Sequence, residues 1–160
     1  MQIFRVDADH KISAQYLDNR RLSKQVLELY QIIRVCLAEL KIIEGNTRYL
    51  HHPIVKQAYN NGKPYIIDLY NMLVEMDLEH QRRGGKRSPA FKEDLDVLAD
   101  IIFANQEAFS HEPLPPYYVY GDTRLEGETV YEAYQQLLHD KWLNDTTSPR
   151  CGFQPKKTDV

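Results

Sequence analysis

The chain is short of cysteine, of surplus positive charge and of long apolar runs, and each shortage removes a class of protein. Cys36 and Cys151 are its two cysteines, too few for a disulfide framework. Net charge is −3, so no basic field covers the whole surface as it does in proteins that capture nucleic acid by bulk electrostatics. A local basic wall remains compatible with that balance. No basic-apolar leader and no membrane-spanning run is found, so a soluble, reducing, cytoplasmic setting is expected. Six histidines invite a metal test, yet none forms an H-E-x-x-H or paired-cysteine pattern, and His111-Glu112 runs straight into proline. P-loop, dinucleotide and G-x-S-x-G motifs are also missing, so no cofactor and no metal are expected.

What is present is ordinary globular material. With 160 residues and 42% hydrophobic content, the chain can bury a core within one domain. Met1–Val6 alternates briefly and reads as a short extended segment. A long helix is expected from about Ser13, its candidate N-cap, to Ile43, with room for a kink and a stop at Gly45-Asn46. Pro53 opens a short helix that ends at Asn60-Asn61-Gly62. Tyr65–Arg83 has helical period, and Ser88-Pro89 starts a helix through about Ala108. The prolines and tyrosines of His111–Tyr120 predict an extended stretch, and Asp122–Leu143 a last helix. The expectation is an all-α single compact domain of about five helices over residues 1–143. A loosely held polar tail is expected at 144–160.

The most informative stretch is Leu17–Leu29, LDNRRLSKQVLEL. Asp18, Arg21, Gln25 and Glu28 are spaced three, four and three apart, which on a helix places them within an arc of about 80°. Leu22, Val26, Leu29, Ile33 and Cys36 form the apolar face beside this stripe. A solvated boundary row is the commoner meaning of such a stripe; the wall of a pocket is the sharper one. Glu28, next to apolar neighbours, suits acid–base work. His52 precedes Pro53 at a helix start, where the helix dipole favours a neutral imidazole; a plain structural cap is the usual role there. Basic residues at Arg20, Arg21 and Lys24 and in the Arg82–Arg87 loop can grip phosphates, and Tyr117, Tyr118 and Tyr120 can stack bases or merely pack prolines.

The short N-terminal segment, the pattern L-D-x-x-R-L-x-x-Q-x-x-E at 17–28 and the later HHPIV resemble the pyrimidine-dimer DNA glycosylase family, the phage endonuclease V-like enzymes. The resemblance runs mainly over residues 1–83. It implies a DNA repair N-glycosylase acting on dimerised or modified pyrimidines in double-stranded DNA, with an AP-lyase step and no metal. By that resemblance the Met1 α-amine attacks the sugar, reached by the N-terminal segment at the cleft, and Glu28 manages protons. An α-amine titrates near pH 8 in general, so a fraction is nucleophilic at neutral pH. Arg5 and Arg21 would pair flanking phosphates, Gln2 and Gln25 would line the pocket, His52 would orient backbone or water, and Arg82 and Arg83 would touch DNA. Two alternatives stay open. One is a non-catalytic module binding nucleic acid or protein on the same fold, favoured by the acidic balance, Leu27 and a Met1 retained before Gln2. The other is a glycosidic-bond enzyme with a different nucleotide substrate.

Overall fold

The computed structural model describes residues 1–146. Six α-helices carry the described residues: α1 (His10–Tyr16), α2 (Asn19–Glu39), α3 (Pro53–Tyr59), α4 (Ile66–Arg82), α5 (Pro89–Ala104) and α6 (Thr129–Asn144). One antiparallel hairpin, β1 (Tyr117–Tyr120) and β2 (Thr123–Glu126), is the only sheet among the described residues. The molecule is predominantly helical and forms a single compact domain.

The expected first helix is two helices. Asp18 leaves helical geometry (ψ 159°), and its carboxylate caps α2 by accepting the Arg21 amide at 3.1 Å. An aspartate at this point satisfies an orphan N–H of the new helix, which a helix running through Leu17 would not need. The described residues therefore form six α-helices where about five are expected. Ser13 is not a cap either: Asp9 caps α1, while Ser13 is buried and its hydroxyl bridges the Val6 amide and the Asp7 carbonyl. At the far end α2 stops at Glu39, before Gly45. Lys41 takes the left-handed conformation (φ 62°), and the Ile42 and Lys41 amides return to Leu37 and Ala38 carbonyls. That pattern is a Schellman closure built on lysine instead of glycine.

The caps at His52-Pro53 and Ser88-Pro89 form as expected, each side chain accepting an amide of the first turn. The last helix begins later than expected because 123–126 pairs with the tyrosine segment. Tyr117 faces Glu126 and Tyr120 faces Thr123 across a two-residue loop led by Gly121 at φ 55°.

The core lies chiefly between α2 and α4, with α1 also on α4. Leu22, Val26, Leu29 and Ile33 of α2 and Leu69, Met72 and Met76 of α4 are fully buried, as the helical periodicity requires. Cys36 lies in this core, and burial pushes its thiol up to about 12, the behaviour of a small apolar side chain. No helix among the described residues is long and apolar enough to cross a membrane. Cys151 and residues 147–160 of the expected tail lie outside the described residues; residue 144 closes α6.

Candidate active site

The N-terminal segment crosses the helices without a strand partner, so its main-chain groups must be satisfied by side chains. Helix α2 supplies most of them. The Gln2 amide donates to Glu28 Oε2 at 2.8 Å. One turn earlier, Gln25 Nε2 donates to the Gln2 carbonyl at 2.9 Å while its Oε1 accepts the Phe4 amide at 2.9 Å. A glutamine amide offers one acceptor and two donors on a single plane, so it can stand in for the neighbouring strand. Gln135 of α6 completes the set by donating to the Val6 carbonyl at 3.1 Å.

The Gln2 side chain is held as firmly as its backbone. Its Nε2 donates to the Val119 carbonyl at 2.8 Å, and its Oε1 accepts from the Tyr134 hydroxyl at 3.0 Å. Adjacent main-chain nitrogens are separated by at most about 3.7 Å, so the Met1 α-amine lies within about 6.5 Å of Glu28 Oε2. Both residues face a cleft of about 380 Å³.

Arg21, Gln25 and Glu28 line that cleft together with Met1 and Gln2, and Arg20, Lys24 and Lys141 add cations. The stripe is thus a pocket wall, with one exception. Asp18 is buried beneath its end, accepting from the Arg21 amide, the Arg21 guanidinium at 3.2 Å and the Trp142 indole at 2.8 Å. Arg21 also makes a two-pronged pair with Asp145, at 2.8 and 3.1 Å, and these hydrogen bonds hold the Asp145 carboxyl below its ordinary range. Glu28 is left less occupied. Besides the Gln2 amide it has Lys24 Nζ at 3.7 Å, an ammonium whose side chain is 73% exposed. Its neighbours therefore leave oxygen lone pairs available to a molecule in the cleft.

His52 stands near the amine. Its Nδ1 accepts the Ile54 amide at 3.2 Å, which requires that nitrogen to be unprotonated. Burial lowers its pKa first, and the charges of the N-terminus and Arg124 lower it further against a small opposing pull from Glu28. Desolvation and these charges favour the neutral ring.

The remaining candidates lie elsewhere. Arg5 is buried, points to the Leu114 carbonyl and sits over the Tyr131 ring at 6.0 Å. Arg82 and Arg83 share Glu79, and Arg83 also donates to the Leu17, Ala14 and Gln15 carbonyls, closing the α1–α2 corner. Arg87 of the same loop is tied to Asp77 and Ser23. None of these four lines the Glu28 cleft. Conversely, Lys141, Val119 and Tyr134 reach the site from more than 90 residues away, with no local pattern to announce them. Among the described residues, no three His, Cys, Asp or Glu side chains group as metal ligands.

Comparison with curated proteins and with solved structures gives no match. The family model for pyrimidine dimer DNA glycosylase matches residues 1–93, which include α1, α2, the N-terminal segment and His52. The chain belongs to the pyrimidine dimer DNA glycosylase family.

Proposed function

We propose that this protein removes dimerised or otherwise modified pyrimidines from duplex DNA, using its N-terminal amine as nucleophile and Glu28 for proton transfer, and then cleaves the strand. The observation that carries the reading is the Gln2 amide on Glu28 at 2.8 Å, which ties the chain terminus to the one lightly occupied carboxylate of a cationic cleft.

The neutral amine forms a bond to C1′ of the damaged nucleotide as the C1′–N glycosidic bond breaks, and the base departs with that electron pair and a proton. Opening of the C1′–O4′ bond, with the second amine proton passing to O4′ as it becomes a hydroxyl, leaves an imine between the protein and the sugar. A base then takes a C2′ proton, the C3′–O bond breaks, and the 3′ phosphate leaves by β-elimination. In this scheme Glu28 stabilises the cationic sugar and receives the C2′ proton. Arg20, Arg21, Lys24 and Lys141 give the cleft rim a positive field that the chain as a whole lacks. A nucleotide must leave the stack to reach C1′, and the cleft is within the size range of sites for small ligands.

Borohydride trapping on ultraviolet-irradiated duplex tests this directly. A covalent protein–DNA adduct is expected, lost when the N-terminus is acetylated. Folded protein that yields neither adduct nor cleavage refutes the mechanism.

A further inference from the structure

We infer that Tyr134 is a positioning residue: through the Gln2 side chain it fixes the direction in which the N-terminal amine faces Glu28. This rests on the reading above that the amine is the nucleophile. It adds that the machinery extends beyond the segment matched by the family model, into β1 and α6.

Chain termini ordinarily fray unless something ties them down. The two backbone bonds from Gln2 to α2 anchor its peptide groups, yet both lie on one side of the segment. The side chain supplies the opposite anchor, with one donor to the Val119 carbonyl and one acceptor for Tyr134. Tyr134 is itself closely packed. It is fully buried, its ring meets Phe4 edge-on at 5.6 Å between centroids and Tyr118 at 4.8 Å. Its single hydroxyl proton faces the Gln2 oxygen at 3.0 Å and the Tyr117 carbonyl at 3.1 Å. Those acceptors dictate the amide orientation: oxygen to Tyr134, nitrogen to Val119. Glutamate at position 2 lacks the donor and leucine lacks both groups, so the latch is specific to a carboxamide. Gln2 is then a structural tooth of the site as well as part of the cleft lining.

The test uses Tyr134→Phe, which keeps the ring and removes the hydroxyl, with Tyr118→Phe as the matched control from the same aromatic cluster. Hydrogen exchange at the Gln2 backbone amide is expected to accelerate roughly tenfold in Tyr134→Phe and to stay at the wild-type rate in the control. The Phe4 amide, held by Gln25, should be unaffected in both. On irradiated duplex, the single-turnover trapping rate should fall roughly tenfold while Kd stays within twofold, since the residue acts on geometry and not on binding. Gln2→Leu should reproduce both effects, and adding Tyr134→Phe to it should change neither further; it also carries the test if the Tyr134 variant does not fold. Wild-type exchange at Gln2 in the variants overturns the inference, as does a rate loss matched by an equal loss of affinity. If wild-type protein gives no adduct at all, the glycosylase reading fails, and the exchange measurement still decides whether the latch exists.

Discussion

Glu28 and Glu79 are glutamates on the two helices that make the core, each flanked by basic residues, and the structure uses them in opposite ways. Glu79 is 6% exposed and saturated: Arg82 takes both oxygens at 2.7 and 2.6 Å, and Arg83 adds a bond at 2.7 Å. Burial pushes its carboxyl up, but the arginine hydrogen bonds outweigh burial and hold it below the ordinary carboxylate range. Glu28 has one main-chain amide and a loose ammonium, and lines the cleft with 14% of its side chain exposed. A carboxylate whose lone pairs are consumed by its own protein is structural. One that keeps them toward a cleft is available for chemistry.

The largest effect expected from this contrast is kinetic. Glu28→Gln should lower the adduct-forming rate by about a thousandfold while shifting Tm by no more than a few degrees. Glu79→Gln should do the reverse. Leaving the buried Arg83 guanidinium without its carboxylate costs about 3 kcal/mol, visible as a lower urea midpoint, while activity per folded molecule is retained. Acid titration sharpens the pair. Glu79 has a folded pKa below its unfolded value, so its stabilisation is complete above about pH 4.5 and is lost as pH falls through the lowered folded pKa. The Gln variant should lack that acid limb.

A smaller effect is expected at His52, where His52→Ala removes the α3 cap and costs about 1 kcal/mol. Its lowered pKa gives the same sign of dependence at higher pH. The stabilisation is present above about pH 6.5 and declines as pH drops through the folded pKa, so the variant and wild type should converge in urea midpoint on acidification. The smallest change is Lys24→Gln. Its exposed pair with Glu28 should leave Tm unaltered, but the slope of log affinity for DNA against log salt should flatten by about one unit.

Local patterns in the sequence carried the first wall of the site and little of the second. Arg21, Gln25 and Glu28 share a face because helical spacing is a short-range property, and the Pro53 and Pro89 starts are equally local. The break at Asp18 was hidden because the apolar periodicity continues across it; only the capping bond distinguishes an end from an interior. Thr123–Glu126 has weak strand character of its own and becomes β2 through pairing with β1. Arg83 reads as part of a basic loop, yet besides Glu79 its partners include the Leu17 carbonyl at the end of a helix 66 residues away in sequence. Arg5 likewise finds Leu114, and Gln2 finds Tyr134, across separations that no spacing rule covers.

The Arg21–Asp145 pair has one further consequence. Arg21 already holds an anion supplied by its own chain, in the two-pronged geometry that a phosphate would use. On the proposed reading, a DNA phosphate arriving there would make an exchange and not a simple addition, releasing the Asp145 carboxylate to solvent. The guanidinium then adds to affinity only the difference between two anions. Discrimination at that point becomes a contest between a tethered competitor and a diffusing one.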